Sequence, residues 1–535
     1  MQESKANGVY YTPKKLADFL VKHLNENYEL DETIDILEPS CGDGIFLDAI
    51  LKCSNFVQKH RFNISIVEKN NNELKKAVKL FDSIPDMNNK IDYFCGDYLE
   101  YHENNNKKYD LIIGNPPYIK RSLMSEDQIE VSNRILEKSG IDKPKVMNIW
   151  IPFLIGSIKL LKNNGILCFI LPAELLQVEY SKGIRKYLNK ELGIIEIFKF
   201  RELVFKDIEQ DIIVLIGIKK CVDEKVIIHK LNNLDDLNKK HTIYTHEKTN
   251  NKWSEYYLTK EEMQIVDSIR KQDKIRKIQD ICYSKVGIVT GANDYFILND
   301  EESKKYNISK FLRPIIKKSS YLTKSLILSN DDFDKIKLQN KKCFMLYLDD
   351  DNSIKKSTPI YKYIKRGEMD KVNEKYKCNQ RTKWYNIPSV EASDGMFFKR
   401  IHIIPKLVVN KANVLVTDTA YRIYMNEGYN IESLAFSFYN SITLLFVELL
   451  GRSYGGGVLE LTPNEFKKLP VPYLNISSQE LLRLDSMLKN SESIEKILEY
   501  TDNVILVDGF GLTSSEVCLI RKIRMKLLDE RVFYS

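Results

Sequence analysis

The segment from Tyr109 to Tyr118, Tyr-Asp-Leu-Ile-Ile-Gly-Asn-Pro-Pro-Tyr, constrains the fold of this chain more than any other stretch. Its apolar run at 111–113 is typical of a short buried strand. The two consecutive prolines that follow cannot donate backbone hydrogen bonds, and they hold the preceding residue extended. The strand is therefore predicted to end at a stiff loop that presents the side-chain amide of Asn115, backbone carbonyls and the ring of Tyr118.

Three predicted strands before this loop each carry an acidic residue at or just beyond their end. The strands are segments 34–37, 63–67 and 91–94, and the acids are Glu38, Glu68 and Asp97. A turn containing Gly42 and Gly44 follows the first strand and leads into an apolar helix. Strand, glycine-rich turn and helix form the first unit of a doubly wound nucleotide-binding fold. The sequence therefore predicts an α/β domain whose parallel strands end at one ligand-binding edge.

The acids indicate what this edge binds. An acid directly after the first strand suits a cationic group such as an ammonium, and the turn lacks the Gly-x-Gly-x-x-Gly spacing of a pyrophosphate cradle. An acid at the end of the second strand stands where this architecture holds ribose hydroxyls. Asp97 can accept a hydrogen bond from an adenine amino group. Each acid alone is typical of a solvated strand end, whereas the ordered series indicates a binding site.

The alternation of strands and helices ends near residue 220, which we predict as the end of the first domain. Thr12 is predicted to cap a helix whose first residue is Pro13. The charged segment 119–145 has little periodicity and is predicted to be a loop. Later elements are predicted as a helix at 149–161 and strands at 165–172, 194–200 and 211–218.

The rest of the chain differs in pattern and in charge. Short strands predict a strand-rich domain over 221–475, and amphipathic helices predict a helical segment over 476–535 packed on it. Residues 301–400 carry 23 Lys and Arg against 13 Asp and Glu, whereas residues 1–220 carry 31 against 32. A neutral first part and a basic second part suggest a small molecule bound by one and a polyanion by the other. A lysine-rich solvated surface is the alternative.

Composition narrows the class of protein. The nine cysteines include no Cys-x-x-Cys pair, so we predict neither a zinc site nor a disulfide framework and expect a reducing cytoplasm. The N-terminus has no apolar signal region. No apolar run reaches the roughly 18 residues of a membrane span.

In type and order these motifs resemble the gamma class of DNA adenine-N6 methyltransferases, the TaqI-like enzymes. Tyr11–Pro13 resembles their leading cofactor motif, Glu38–Gly44 their glycine loop and Asn115–Tyr118 their catalytic loop. Further similarity lies at Glu68, Asp97 and segments 160–172, 204–207, 287–296 and 451–472. The resemblance implies a Rossmann-like class I S-adenosylmethionine-dependent methyltransferase domain, followed by a DNA target-recognition domain with a helical tail.

The resemblance also implies a cofactor site and no metal. Glu38 would face the ammonium of S-adenosylmethionine, Glu68 its ribose and Asp97 its adenine, while Tyr11 and Thr12 would cover the methionine end. The complete set of implied cofactor residues is Tyr11, Thr12, Pro13, Glu38, Pro39, Ser40, Cys41, Gly42, Glu68, Lys69, Asp97, Tyr98, Asn115 and Pro117.

Asn115, Pro116, Pro117 and Tyr118 are the implied catalytic residues. The target adenine must leave the duplex, at a cost of a few kcal/mol, before it can react. The Asn115 side-chain carbonyl and the Pro116 backbone carbonyl would accept its two amino hydrogens as charge develops on nitrogen. Tyr118 would stack on one face of the flipped base. Phe205 is the predicted partner on the other face, with Phe200 as the alternative and a core position as the competing explanation.

Other activities stay open at this point. Asn-Pro-Pro-Tyr also occurs in methyltransferases that act on RNA or on protein glutamine, although those are typically short. A catalytically silent DNA-binding specificity subunit is less favoured because Glu38, Asp97 and Asn115 are intact. A fused N-terminal nuclease is not expected, since the first motif begins at Gly8. The expected partner is double-stranded DNA, the expected state a monomer in a bacterial or archaeal cytoplasm, and a separate cognate endonuclease is compatible with the sequence.

Overall fold

The chain forms two compact units, of which the first ends at Lys260 and the second begins at Glu261. The structure is a computed structural model. It describes residues 11–82, 89–141, 146–177, 179–205, 211–220, 223–248, 253–322, 324–348, 354–388, 390–454 and 457–532.

A nine-stranded sheet with the strand order β3-β2-β1-β4-β5-β7-β6-β8-β9 forms the centre of the first unit. Strands β1 to β5 pair in parallel, and β7 is antiparallel to both of its neighbours, β5 and β6. The strands are β1 Thr33–Glu38, β2 Arg61–Glu68, β3 Lys90–Cys95, β4 Tyr109–Gly114, β5 Leu161–Pro172, β6 Leu192–Phe200, β7 Ile212–Lys219, β8 Lys225–Leu231 and β9 Thr242–His246.

Helices connect these strands in the alternation that the sequence predicts. They are α1 Lys14–Asn27, α2 Ile45–Lys52, α3 Ser54–Lys59, α4 Asn71–Asp82, α5 Tyr98–Asn104, α6 Glu126–Glu137, α7 Trp150–Leu160, α8 Glu174–Gln177 and α9 Lys182–Glu191. Short 3-10 turns lie at Arg121–Leu123, Glu179–Ser181, Leu234–Asp236 and Trp253–Tyr257. The central strands are buried on both faces, as their continuous apolar runs require. The predicted Rossmann-like α/β fold is confirmed.

Three local predictions differ from the structure. The first helix begins at Lys14 with Pro13 as its N-cap, and the Thr12 hydroxyl accepts from Asn115 instead of capping the helix. Segment 119–145 is not all loop, since it contains α6. The sheet continues beyond residue 220 because β8 pairs in parallel with β6, and β9 then pairs with β8.

A buried polar cluster joins α1 to the outer strands of this sheet. Glu196, on β6, is 5% exposed and accepts from Nε2 of His229 at 2.6 Å and from Nε2 of His23 at 3.0 Å. The Tyr28 hydroxyl also donates to it. Burial opposes ionisation of Glu196, but these hydrogen bonds outweigh it and lower its pKa to about 2.

The second unit contains several small sheets. Their orders are β11-β20-β16-β18-β14, β12-β15-β13-β19, β17-β22-β21 and β10-β23. The strands are β10 Arg276–Lys277, β11 Cys282–Val286, β12 Ile297–Leu298, β13 Leu312–Ile316, β14 Ile327–Leu328, β15 Phe344–Leu346, β16 Gly395–Phe398, β17 Arg400–Ile401, β18 Lys406–Asn410, β19 Leu415–Val416, β20 Ala420–Met425, β21 Arg452–Tyr454, β22 Val458–Glu460 and β23 Pro470–Val471. The predicted strand-rich C-terminal region is confirmed.

Helices of the second unit lie between these strands and at its C-terminal end. They are α10 Lys260–Arg270, α11 Ile278–Ile281, α12 Asn293–Phe296, α13 Asp300–Lys305, α14 Asn330–Leu338, α15 Pro359–Met369, α16 Tyr376–Asn379, α17 Ile431–Ser437, α18 Ser441–Leu450, α19 Pro463–Lys467, α20 Ser478–Lys489, α21 Ile494–Asp502 and α22 Ser514–Val532, with a π-helix at Asn503–Gly509. Short 3-10 turns lie at Ser309–Phe311, Ser319–Tyr321 and Val372–Glu374. The long helix α22 packs on α18 through a paired contact of Arg531 with Glu448, at 2.8 and 2.7 Å.

Within the described ranges, no single helix is both long and apolar enough to cross a membrane. Helices α17 and α18 together reach such a length and apolarity, but they are bent by 80° relative to each other.

Candidate active site

A cavity of about 510 Å³ lies in the first unit, where β1, β2, β3 and β4 end. Parallel strands bring their carboxyl ends to one edge, so residues far apart in the sequence meet there. The cavity is lined by Tyr11, Thr12, Glu38, Pro39, Ser40, Cys41, Gly42, Asp43, Ile45, Phe46, Glu68, Lys69, Asn70, Glu73, Gly96, Asp97, Tyr98, Asn115, Pro117, Ile119, Gln128, Ile149 and Phe153.

Glu38 is a buried acid with an unused acceptor. It ends β1 and is 2% exposed. The backbone N–H of Leu47 donates to the carboxyl group, but no donor of the described chain reaches Oε1. Burial, with added repulsion from Asp43 and Glu68, raises the pKa of Glu38 well above its usual range. A buried carboxyl that lacks a partner costs free energy, so this position is suited to a cationic ligand group.

The glycine-rich turn after Glu38 is held by the next strand. The backbone N–H of Gly42 donates to Glu68 Oε2 at 2.9 Å, and that of Asn70 donates to Oε1 at 2.8 Å. Gly42 and Gly44 have φ values of 52° and 88°, in the left-handed region that favours glycine. A Cβ at Gly44 would lie 3.0 Å from Ala77, whereas one at Gly42 would meet nothing within 4 Å. The turn thus brings backbone close to α4 on one side and leaves cavity space on the other.

Asp97 follows β3 and is engaged by three groups. Its Oδ1 accepts from the backbone N–H of Leu99 at 2.9 Å and so caps α5. Its Oδ2 accepts from Nε2 of Gln128 at 2.7 Å, and the ammonium of Lys69 lies 3.8 Å from the same oxygen. Asp97 therefore enters the cavity as an oriented acceptor with two hydrogen-bond donors and one ammonium beside it.

The side-chain amide of Asn115 is held from both ends. Its Nδ2 donates to Thr12 Oγ1 at 3.3 Å, and its Oδ1 accepts from the Tyr118 hydroxyl at 3.2 Å. Its backbone carbonyl accepts from the Ser40 hydroxyl at 3.2 Å. The loop after β4 is thus tied to the segment before α1 and to the turn after β1.

Tyr118 and Phe205, the predicted stacking residues, belong to the apolar packing beside the cavity. Phe205 is 7% exposed in a core cluster against which Tyr118 packs. Phe200, the alternative, lies in the same cluster and is 5% exposed. The residues that follow Phe205, including Lys206 and Asp207 of the resembling motif, lie outside the described residues. The stacking roles stay predictions.

All but one of the predicted cofactor residues line the cavity; the exception is Pro13, the N-cap of α1. The sequence interpretation missed ten lining residues, which include Gln128 on α6 and Phe153 on α7. Gln128 carries a signal that could have been used, since Ser125-x-x-Gln128 is a capping-box pattern that predicts a helix start. The apolar lining residues carry no comparable signal, because they are indistinguishable from core residues in the sequence.

The described part of the chain contains no group of three or more His, Cys, Asp or Glu side chains arranged to hold a metal ion. The polar groups that line the cavity fit an organic ligand. A carboxyl with a free acceptor, a second carboxylate braced by backbone N–H groups and a third beside Lys69 fit an ammonium, a diol and an aromatic amine. S-adenosylmethionine carries all three groups.

Known proteins resemble both units. Residues 45–205 match the Eco57I restriction-modification methylase family, and residues 250–506 match the C-terminal domain of the Type II methyltransferase M.Eco57I. The chain is 27% identical over 550 residues to the Type II methyltransferase M.AccI of Acinetobacter calcoaceticus. The aligned region covers 94% of this chain and 94% of that protein. It is 20% identical over 586 residues to the Type II methyltransferase M.BstVI of Geobacillus stearothermophilus, covering 97% of this chain and 98% of that protein.

Among solved structures, the chain resembles the Type IIL restriction-modification enzyme MmeI in complex with DNA. The TM-score is 0.59 at 13% identity, covering 100% of this chain and 73% of that one. This likeness extends the agreement in fold to the second unit. The two family matches, which lie at residues 45–205 and 250–506, and the methyltransferase relatives support grouping the chain with the Eco57I-type restriction-modification methylases, and thereby an S-adenosylmethionine-dependent methyltransferase.

Proposed function

We propose that this protein transfers a methyl group from S-adenosylmethionine to the N6 atom of one adenine in a specific double-stranded DNA sequence. It would act as the modification enzyme of a restriction-modification system. The observation that carries the proposal is the position of the Asn115–Tyr118 loop, which borders a cavity whose acids match the polar groups of S-adenosylmethionine. The similarity to the Type II methyltransferase M.AccI along 94% of the chain supports it.

In this proposal each acid of the cavity binds one part of the cofactor. Glu38 offers its free Oε1 to the ammonium, and Glu68 offers the ribose hydroxyls the lone pairs that remain beside its two backbone donors. Asp97 accepts from the adenine amino group. The bound cofactor supplies an activated methyl group, and the protein supplies the position and orientation of the two reactants.

Asn115 and Pro116 act on the amino group of the target adenine. This nitrogen is a weak nucleophile because its lone pair is delocalised into the ring. When Asn115 Oδ1 and the Pro116 carbonyl accept its two hydrogens, electron density returns to nitrogen. These hydrogen bonds strengthen as positive charge develops, so they stabilise the transition state more than the ground state.

The target base has to leave the duplex to reach this loop. Stacking is worth about 1–3 kcal/mol per base, which offsets part of the cost of extrusion. Tyr118 is our candidate for one face of the flipped adenine and Phe205 for the other. Phe205 belongs to a core cluster, and Tyr118 packs against the same cluster. This arrangement is compatible with such a pocket.

We assign methyl transfer to the first unit and DNA recognition to the second. The basic stretch 301–400 lies in the second unit, and that unit contains most of the region that matches the C-terminal domain of M.Eco57I. Positive charge supplies the sequence-independent part of DNA affinity. The functional ranges we propose are those of the sequence prediction, residues 1–220 for catalysis, 221–475 for target recognition and 476–535 for the helical tail, except that residues 221–260, which include β8 and β9, are assigned to the catalytic unit.

The experiment is transfer of a labelled methyl group from S-adenosylmethionine to bacterial genomic DNA that lacks adenine methylation, followed by sequencing that detects N6-methyladenine. We expect label at one recurrent motif. Asn115→Ala is expected to abolish transfer and to leave binding of S-adenosylhomocysteine nearly unchanged. Label in RNA or in a protein glutamine, and none in DNA, would refute the proposed substrate. Binding of cofactor without any transfer would favour a DNA-binding protein instead.

A further inference from the structure

Helix α6 brings a neutral amide, Gln128, to the acid that we assign to the cofactor adenine. The helix begins one residue after Ser125, which accepts from the Gln128 backbone N–H at 3.2 Å. In return, the Ser125 backbone N–H donates to Gln128 Oε1 at 3.0 Å. This capping box fixes the acceptor end of the side chain at the helix start. The donor end is thereby directed into the cavity.

The donor end of Gln128 meets Asp97. The distance from Nε2 to Asp97 Oδ2 is 2.7 Å, and Gln128 lines the cavity together with Asp97. The other carboxylate oxygen of Asp97 accepts from the backbone N–H of Leu99. The two donors fix the plane of the carboxylate, and Oδ2 keeps a second lone pair for a ligand.

The two ends of the segment that carries Gln128 are joined by backbone hydrogen bonds next to the catalytic loop. The Ile149 backbone N–H donates to the Ile119 carbonyl at 2.9 Å, and the Arg121 N–H donates to the Met147 carbonyl at 3.0 Å. Ile119 directly follows Tyr118, and both Ile119 and Ile149 line the cavity. Asp97 is thus joined through Gln128 to the segment that leaves the Asn115–Tyr118 loop.

We propose that Gln128 is a positioning residue that holds Asp97 in the orientation needed to accept from the 6-amino group of the cofactor adenine. The inference rests on the proposed use of S-adenosylmethionine. It makes Gln128 a determinant of amino-purine selectivity, although the residue need not touch the cofactor. If Gln128 served only to cap the helix, replacing it would not change the preference for an amino-purine.

Four variants separate positioning from helix capping. Gln128→Leu removes both contacts. Gln128→Glu keeps an acceptor for the Ser125 N–H, since glutamate is the usual partner in a capping box, but it places a second carboxylate against Asp97. Ser125→Ala removes only the side-chain half of the cap. Arg134→Gln is the matched control, because Arg134 ties the same helix to Glu103 of α5 with two bonds of 2.8 Å and does not contact Asp97.

The measurement is calorimetric affinity for S-adenosylhomocysteine and for its 6-deamino analogue, in which hydrogen replaces the 6-amino group. The wild-type protein is expected to prefer the amino compound. Gln128→Leu is expected to weaken binding of S-adenosylhomocysteine by about tenfold, or 1.4 kcal/mol. It should leave affinity for the analogue within about twofold, because the analogue offers Asp97 no amino hydrogen, so selectivity collapses by a similar factor. Gln128→Glu is expected to lose at least as much selectivity, and Ser125→Ala and Arg134→Gln to keep it.

Thermal unfolding without ligand is the second readout. Gln128→Glu should unfold within a few degrees of the wild-type protein, which separates its loss of selectivity from loss of fold. Equal weakening of both ligands by Gln128→Leu, or a loss of selectivity in Ser125→Ala as large as that in Gln128→Leu, would overturn the proposal. If the wild-type protein binds neither ligand, the proposed function is overturned instead.

Discussion

Replacement of Glu38 by Gln tests the centre of the cofactor site. The side chain is 2% exposed, and no donor of the described residues reaches its Oε1. Burial and the nearby Asp43 and Glu68 carboxylates raise its pKa. Glutamine keeps the shape and removes the charge, so Glu38→Gln isolates the electrostatic part of the interaction.

The raised pKa fixes the sign of the effect on stability. The folded, ligand-free protein holds the Glu38 proton more tightly than the unfolded chain, whose glutamate pKa is about 4.3. Ionisation of the group therefore adds no cost below that pH, and it destabilises the fold increasingly as pH rises above it. Glutamine leaves the same buried site without a partner but cannot ionise, so the unpaired polar group cancels in the comparison and only the cost of ionisation remains. Glu38→Gln is expected to stabilise the ligand-free protein at pH 7.5, and the difference should vanish near pH 4.

Although Glu38→Gln should raise the stability of the ligand-free protein, it should lower the affinity for the cofactor. An ammonium beside the carboxylate favours its ionised form, so binding of S-adenosylhomocysteine to the wild-type protein should release protons. Truncating one partner of a buried charged pair costs about 2–5 kcal/mol, which corresponds to about 30-fold or more in affinity. Glu38→Gln should show this loss of affinity and should lose the proton release.

Two measurements test these expectations. Denaturant unfolding between pH 4 and 8 gives the stability difference, and calorimetry in buffers of different ionisation enthalpy gives the number of protons released. Asp48→Asn is the control, since Asp48 pairs with Lys52 and Lys14 and does not line the cavity. Unchanged affinity in Glu38→Gln would refute the assignment of Glu38 to the ammonium. A stability difference that grows toward low pH would refute the reasoning about its proton.

Three further predictions concern the catalytic loop, the buried cluster and the glycine turn. Tyr118→Ala should reduce methylation of a matched duplex more than methylation of a duplex with a mismatched target base; equal losses in a single-turnover assay would argue against stacking. Glu196→Gln should remove about 3 kcal/mol of stability at pH 7, worked from its shift to a pKa of about 2. Because a lowered pKa stabilises the fold above the unfolded value, this difference should disappear as pH falls from about 4.5 to 2, and denaturant unfolding that shows no narrowing would contradict it. Gly44→Ala should cost about 1–3 kcal/mol more than Gly42→Ala, because only at Gly44 does the added Cβ also crowd Ala77; equal melting temperatures for the two variants would contradict it.

The sequence predicts the sheet edge well because the relevant signals are local. Glu38 follows an apolar run directly, and the Asn-Pro-Pro-Tyr loop marks its own strand end. Strand ends in a doubly wound sheet converge whatever the intervening lengths, so the ordered acids suffice to predict the cavity. Lys69 and Cys41 were implied by the family resemblance instead, and both line the cavity.

The missed features depend on pairing between distant segments. Strand β8 belongs to the first sheet because it pairs with β6, and nothing in its own sequence distinguishes that partner from another. Threonine is a common N-cap residue, so Thr12 was predicted to cap the helix. Its actual contact is with Asn115, which is 103 positions away in the sequence. Helix α6 was overlooked because its apolar face is narrow: the three buried residues in its 12-residue span include a serine, Ser132. Because α6 was not predicted, its cavity-lining residue Gln128 was not predicted either.

The contact with Thr12 bears on how the loop would act. Donation from Asn115 Nδ2 to Thr12 leaves Oδ1 directed toward the Tyr118 hydroxyl. That hydroxyl has one hydrogen and lies 3.2 Å from two acceptors, Asn115 Oδ1 and the Ile170 carbonyl. An amino group arriving at Oδ1 can therefore displace the hydroxyl without leaving it unsatisfied, since Ile170 remains within reach. In the proposed reaction, Thr12 keeps the amide oriented while Tyr118 gives up its hydrogen bond at little cost.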